Sequence, residues 1–318
     1  MKVLIAVDGS KGSDIVLQEA LERPWLQGTH FCLITVVDPF FFTHAPALFE
    51  DTKEAANEFL SQAAKKFEAA GWLTDINVIL GNPRRVISKY AEDWHADLLL
   101  VGSHGLNALE RLTLGSTVRA VLRHAKCSVE VVRTPKTEAV PGKRGKRILI
   151  ATDGSEFSTE AVKAMAECPW PGETEIKILS VPEFALWLGE YPYMQRVQVE
   201  ELNQSALDAA RAAVAQAKEM LRRTKAQVTT DVPVEREGVA KTILQKAKEW
   251  SADLIVVGSH GRRGFDRWAM GSVSESLAMN ASCPVEVVRL PFSKELGEKE
   301  GEIHESERNH DVHAVHVP

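Results

Sequence analysis

Two stretches of this chain carry the residue types that hold a phosphate. Residues 102–117 read GSHGLNALERLTLGST, and residues 258–273 read GSHGRRGFDRWAMGSV. Each has the form G-S-H-G, nine residues, then G-S. Glycines admit close approach of backbone to a ligand, and a Gly-Ser pair opening a helix leaves its first N–H groups facing the same place. The helix dipole there favours an anion. Neither loop is a Walker A sequence, because no lysine follows Gly115 or Gly271, and neither is a G-x-G-x-x-G dinucleotide fingerprint. His104 and His260 sit inside the loops, where a neutral ring hydrogen-bonded to backbone is the favoured reading and a phosphate contact the alternative. General-base catalysis needs an oriented partner for the imidazole, and no such constellation is visible, so efficient hydrolysis is not expected.

The elements around the loops say where they sit. Each follows an apolar run suited to a fully buried parallel strand, Leu98 to Val101 after Asp97 and Leu254 to Val257 after Asp253. A strand before and a helix after place each loop at the carboxyl end of a sheet strand, where open α/β folds bind ligands. The first strand, KVLIAV at 2–7, runs into Asp8-Gly9-Ser10, and the text returns as RILIATDGS at 147–155, so that Asp8 maps to Asp153 and Pro24-Trp25 to Pro169-Trp170. Second strands are expected at 31–37 and 176–181, third strands at 74–80 and 226–235, and last strands at 127–133 and 283–289. Helices are expected at about 13–23, 52–70, 83–94 and 116–124, and again at 198–223, 239–250 and 272–280. The offset between halves is 145 residues early and 156 late, the extra length falling in the loop and helix after the second strand of the second half. Strand and helix alternating through two such repeats predict two tandem doubly wound α/β domains with parallel sheets.

The domains are expected at 1–135 and 146–292, joined by a Pro-, Gly- and Lys-rich linker at 136–145. From 293 to 318 three basic and seven acidic residues stand without apolar period, so this tail is expected to be disordered; it accounts for most of the net charge of −6. Its four histidines, His304, His310, His313 and His316, are read as solvated rather than metal-binding, since a flexible tail must lose entropy to fix each ligand. With no basic excess elsewhere, nucleic acid is not an expected partner. No apolar run is long enough for a membrane span, and the start MKVLIAVDGS reads as strand and turn rather than signal helix, so a cytoplasmic protein is expected. The four cysteines show neither C-x-x-C nor metal spacing and are expected to be reduced and buried.

The G-x-x-G, nine residues, G-S pattern, the first strand ending V-D-G-S and the last strand C-x-V-x-V-V-R together resemble the ATP-binding branch of the universal stress protein family, once in each half. The resemblance implies a five-stranded parallel sheet of order 3-2-1-4-5 flanked by helices, with nucleotide across the ends of the first and fourth strands. It implies Ala6 and Asp8 at the adenosine end, the Val36 backbone at the adenine edge, and Val101 and Gly102 along the ribose and first phosphates. Gly105, Gly115, Ser116 and Thr117 would surround the remaining phosphates. In the second half the corresponding positions are Ala151, Asp153, Ser180, Val257, Gly258, Gly261, Gly271, Ser272 and Val273. Magnesium is expected with ATP, held by phosphate oxygens together with Ser116 and Ser272. The last strands are expected to pair within the chain as an intramolecular pseudo-dimer, with a homo-oligomer left open.

The nine-residue spacers differ. Glu110 and Arg111 cancel in the first, whereas Arg262, Arg263, Asp266 and Arg267 leave the second at +2, so the second site is expected to be the more salt-sensitive. A nucleotide-dependent regulatory or stress-response protein is the leading reading. A slow ATPase or nucleotidyl enzyme, and an interaction module with vestigial sites, are the alternatives.

Overall fold

The structure is a computed structural model that describes residues 1–104, 114–133, 145–184, 196–234, 237–262 and 270–290. The linker and tail expectations, and most of the spacer residues, lie outside the described residues.

The first half runs β1 (Lys2–Ala6), α1 (Lys11–Glu22), β2 (His30–Val37), a 3-10 turn at Pro39–Phe42, α2 (Pro46–Ala69), β3 (Leu73–Leu80), α3 (Pro83–Asp93), β4 (Leu98–Gly102), α4 (Ser116–His124) and β5 (Ser128–Val132). The second repeats it as β6 (Arg147–Ala151), α5 (Glu156–Glu167), β7 (Glu175–Leu179), α6 (Arg196–Met220), β8 (Gln227–Asp231), α7 (Val239–Glu249), β9 (Leu254–Gly258), α8 (Ser272–Asn280) and β10 (Val285–Val288). The long first-half helix begins six residues before its expected start at 52, because Pro46 suits a helix's first turn and the PFFF run ahead of it winds into the 3-10 turn, with Asp38 accepting from the Phe40 N–H.

The strands form one ten-stranded sheet in the order β3-β2-β1-β4-β5-β10-β9-β6-β7-β8. Among the described residues pairing is parallel within each half, and an antiparallel seam joins β5 to β10 with Val285 opposite Val131 and Val287 opposite Val129. The two halves are therefore a pseudo-dimer inside one chain. The central strands carry Val3, Leu4, Ile5, Leu99, Leu100, Ile148, Leu149, Ile255 and Val256 with no accessible surface, as continuous apolar runs between two helical layers should. On the side of α3, α4, α7 and α8 one apolar cluster crosses the seam from Leu99 and Val121 to Ile255 and Leu277. On the side of α1, α2, α5 and α6 the core divides in two.

The repeated Pro-Trp pairs end the first helix of each half. A proline disfavours helix in the residue before it, and the tryptophan folds back so that Trp25 Nε1 donates to the Ala20 carbonyl at 2.6 Å and Trp170 Nε1 to the Met165 carbonyl at 3.1 Å. Those bonds meet last-turn carbonyls that the helix leaves open.

Candidate functional site

The turn after the first strand is built from aspartate and glycine. Gly9 and Gly154 take φ of 76° and 78°, the left-handed region that a side chain resists. That conformation folds Asp8 back so that its Oδ1 accepts from Ser10 N at 3.1 Å and from Ser13 Oγ at 2.9 Å. Asp153 Oδ1 accepts from Ser155 N at 3.0 Å, and its Oδ2 accepts from Arg262 N at 2.9 Å. Burial raises the Asp153 pKa, but the hydrogen bonds from Ser155, Arg262 and Ser158 outweigh it and hold the carboxyl below the usual range. An ionised acceptor at the first strand's end suits ribose hydroxyls.

The glycine loops close on themselves in the same way in both halves. Gly115 N donates to Ser103 O at 3.0 Å, and Gly271 N to Ser259 O at 2.9 Å. Gly115 and Gly271 stand at the N-caps of α4 and α8 with no side-chain cap, so the first-turn N–H groups are left for a ligand. Gly261 is required by closeness, since a β-carbon there would lie 2.8 Å from Asp153 Oδ2. The loop histidines find a side-chain partner. Each ring meets the hydroxyl before it, Ser103 Oγ to His104 Nδ1 at 3.0 Å and Ser259 Oγ to His260 Nδ1 at 3.1 Å, because that serine is buried and its hydroxyl must find a partner. His260 also packs against Phe157, with ring centroids 4.9 Å apart and planes tilted by 49°.

Two cavities result, one at the carboxyl ends of the strands in each half. Ala6, Asp8, Val36, Val101, Gly102, Gly115, Ser116 and Thr117 all line the first, of about 900 Å³. Ala151, Asp153, Ser180, Val257, Gly258, Gly261, Gly271, Ser272 and Val273 all line the second, of about 500 Å³. Gly105 lies outside the described residues. One equivalence changes: β1 pairs Ala6 with Ile34 and β6 pairs Ala151 with Leu179, so the register makes Val181, not Ser180, the counterpart of Val36. Ser180 matches Thr35 instead, and both Ser180 and Val181 face the second cavity. Matching the expected strands by their ends, 37 and 181, gives Ser180, whereas the observed register, counted from Ala6 and Ala151, gives Val181.

Sequence reasoning missed two features of the first site. Phe41 and Phe42 from the 3-10 turn and Phe59 from α2 form an aromatic wall. Arg84, second residue of α3, donates from Nη2 to Ser116 Oγ at 2.8 Å. Nothing local in GNPRRV marks that arginine, since the packing of α3 on α4 brings it across. In the second half Arg262 lines the cavity, with Nε donating to the Asp153 carbonyl at 2.6 Å. Among the described residues no group of three or more His, Cys, Asp or Glu side chains could hold a metal ion.

The fold and site define a class: tandem doubly wound α/β domains, each with a phosphate-type cradle at its fourth strand. The chain belongs to the universal stress protein family, which matches it twice, over residues 1–133 and 145–289. A universal stress protein of Mycolicibacterium smegmatis is 27% identical over 299 residues, covering 90% of this chain and 96% of its own length. A putative universal stress protein of Staphylococcus aureus is 32% identical over 144 residues, covering 43% of this chain and 86% of its own. Among solved structures, a universal stress protein from Archaeoglobus fulgidus, 22% identical, has a TM-score of 0.58 over 91% of this chain and 98% of its own, a likeness of fold. No helix among the described residues is long and apolar enough to cross a membrane.

Proposed function

We propose that this chain is a nucleotide-dependent regulatory protein of the stress response that takes ATP, with magnesium, at the end of each half-sheet. The observation that carries the reading is convergence. Asp8 from the first strand, Val36 from the second, Val101 and Gly102 from the fourth, and Gly115 and Ser116 from the following helix are far apart in sequence, yet they line one cavity. Their second-half partners line another. A carboxylate at one end of a cleft, apolar walls, and a glycine-rounded helix N-terminus at the other suit ribose, base and phosphates in that order. Magnesium would be held by phosphate oxygens, with Ser116 and Ser272 within the cradle to assist. We read the bound nucleotide as a conformational ligand rather than a substrate: among the described residues the loop histidines meet the serine hydroxyls beside them, Ser103 and Ser259. The test is mass spectrometry of nucleotide carried through purification, counted per chain, together with the thermal shift on adding ATP and magnesium. ATP in the protein and a rise in Tm support the reading. No nucleotide and no shift make the sites vestigial, and sustained phosphate release would make the protein an ATPase.

A further inference from the structure

We propose that Arg84 reads the phosphates of the ligand in the first site, so that this site discriminates adenine nucleotides by phosphate number. The inference rests on the nucleotide reading above and goes beyond it to ligand selection.

Arg84 is placed firmly. Asn82 caps α3, its Oδ1 accepting from Arg84 N at 3.1 Å, and its Nδ2 reaches Asp38 Oδ2 at 3.3 Å on the rim of the same cavity. Pro83 holds the first helical position and itself lines the cavity. From that anchor the guanidinium crosses to Ser116, the first residue of α4, at 2.8 Å. A guanidinium has five donors in a rigid fork, and the serine takes one. Arg84 makes no ion pair among the described residues, so a cation stands beside the open helix N-terminus without a carboxylate to neutralise it. A phosphate oxygen meeting Ser116 Oγ comes within reach of the same fork, where bidentate, charge-assisted contact is available.

Among the described residues the second half has no such group on its equivalent helix. The position equivalent to Arg84 is Ala240, second residue of α7. Arg262, the described arginine of the loop, lines the second cavity and donates to the Asp153 carbonyl. The neighbouring cation on α7, Lys241, is paired with Glu237 at 3.0 Å. Among the described residues, the cation that α3 sets beside the helix N-terminus of the first site has no counterpart on α7.

The experiment titrates the full-length chain with ATP, ADP and AMP by isothermal calorimetry, comparing wild type with Arg84→Gln and Ala240→Arg. Glutamine can still bond Ser116 but carries no charge. The expected result is that Arg84→Gln weakens ATP at one class of site about tenfold while AMP binding and Tm stay unchanged. Ala240→Arg should strengthen ATP over AMP at the other class. Equal weakening of all three nucleotides by Arg84→Gln, or no weakening of ATP, overturns the assignment while leaving nucleotide binding intact. Failure of the wild type to bind any of the three overturns both the assignment and the reading beneath it.

Discussion

Glu130 and Glu286 stand directly opposite one another across the antiparallel seam, on β5 and β10, with 0% and 2% of their surface exposed. Two buried carboxylates so placed require a cation, and one arrives from the first half alone. Arg23 Nη1 lies 2.6 Å from Glu130 Oε2 and 2.8 Å from Glu286 Oε2, its guanidinium between the rings of Trp25 and Trp170 at 4.8 and 5.7 Å. The repeat places Cys168 where a second arginine would stand, and its thiol donates to the Pro24 carbonyl at 2.9 Å. This cluster fills the gap between the two divided cores on the α1 and α5 side. Arg23→Ala should cost about 3–5 kcal/mol in urea denaturation, because it strands two buried charges. Replacing Arg23, Glu130 and Glu286 together by Met, Leu and Leu should recover most of that loss. A small effect of Arg23→Ala would show that water reaches the seam.

The same cluster carries a pH dependence. One guanidinium faces two carboxylates, with Lys146 and Glu19 paired beside them and the Cys168 thiol adjacent. Burial pushes the Glu130 carboxyl up from 4.5 to about 7, against the pull of Arg23, with Glu19 and Glu286 adding to the rise. A carboxyl whose folded pKa exceeds its unfolded one favours folding below the unfolded value and loses that contribution as pH climbs through the folded value. The stability of the wild type relative to Glu130→Gln should therefore fall between about pH 4.5 and about pH 7 and level off above. Denaturation midpoints of the two proteins across that range measure it, and parallel curves would place the proton elsewhere.

Reciprocal arginines tie the halves together at the far ends of the seam. Arg133, after β5, donates from Nη2 to the Ala278 carbonyl and, at 3.0 Å, to the Met279 carbonyl at the end of α8. Arg289, after β10, donates from Nη2 to the Leu122 carbonyl of α4 at 2.7 Å. Each places a cation at the negative end of the other half's helix and meets carbonyls that helix cannot satisfy itself. Arg133→Ala and Arg289→Ala should each lower stability by about 1–3 kcal/mol. If the two bonds act across one interface, limited proteolysis of either variant should cut both halves faster than in the wild type, and acceleration confined to one half would refute the shared interface.

What could be read in advance followed what repeats. Strand positions, the 3-2-1-4-5 order implied by the family resemblance, and Asp8, Gly115, Asp153 and Gly271 all rest on text that occurs twice with constant spacing, and a buried parallel strand writes itself as a continuous apolar run. Arg23 and Arg84 were not legible, because each has a different residue at its repeat position, Cys168 and Ala240, and each acts through a contact set by how helices pack on the finished sheet. Of the charges counted in the second spacer, only Arg262 lies among the described residues. Composition placed Arg262 near the phosphates, whereas backbone geometry lets its side chain reach the Asp153 carbonyl. Counting charge along a loop locates it to within one side-chain length, which is the distance that decides its role.

Gly102 and Gly258 occupy the same motif position, yet the two should respond differently to a methyl group. At Gly258 a β-carbon would lie 2.6 Å from the Phe157 carbonyl carbon, 2.7 Å from Ser158 N and 2.8 Å from Phe157 O, all backbone at the start of α5. Backbone atoms there cannot turn aside as a side chain would, so α5 must shift away from β9. At Gly102 the nearest atoms are His104 O and Val16 Cγ2, both at 3.4 Å, with the matching α1 backbone at Gly12 O 3.8 Å away. Neither glycine has a positive φ, so the difference is one of space alone. Gly258→Ala should lower stability by about 1–3 kcal/mol through overpacking, and Gly102→Ala by under about 1 kcal/mol. Because both residues line their cradles, Gly102→Ala also separates binding from folding: nucleotide affinity at the first site should drop while Tm stays close to wild type. Thermal denaturation of both variants, with and without ATP and magnesium, measures this. Equal Tm losses would mean that α1 and α5 approach their strands equally closely.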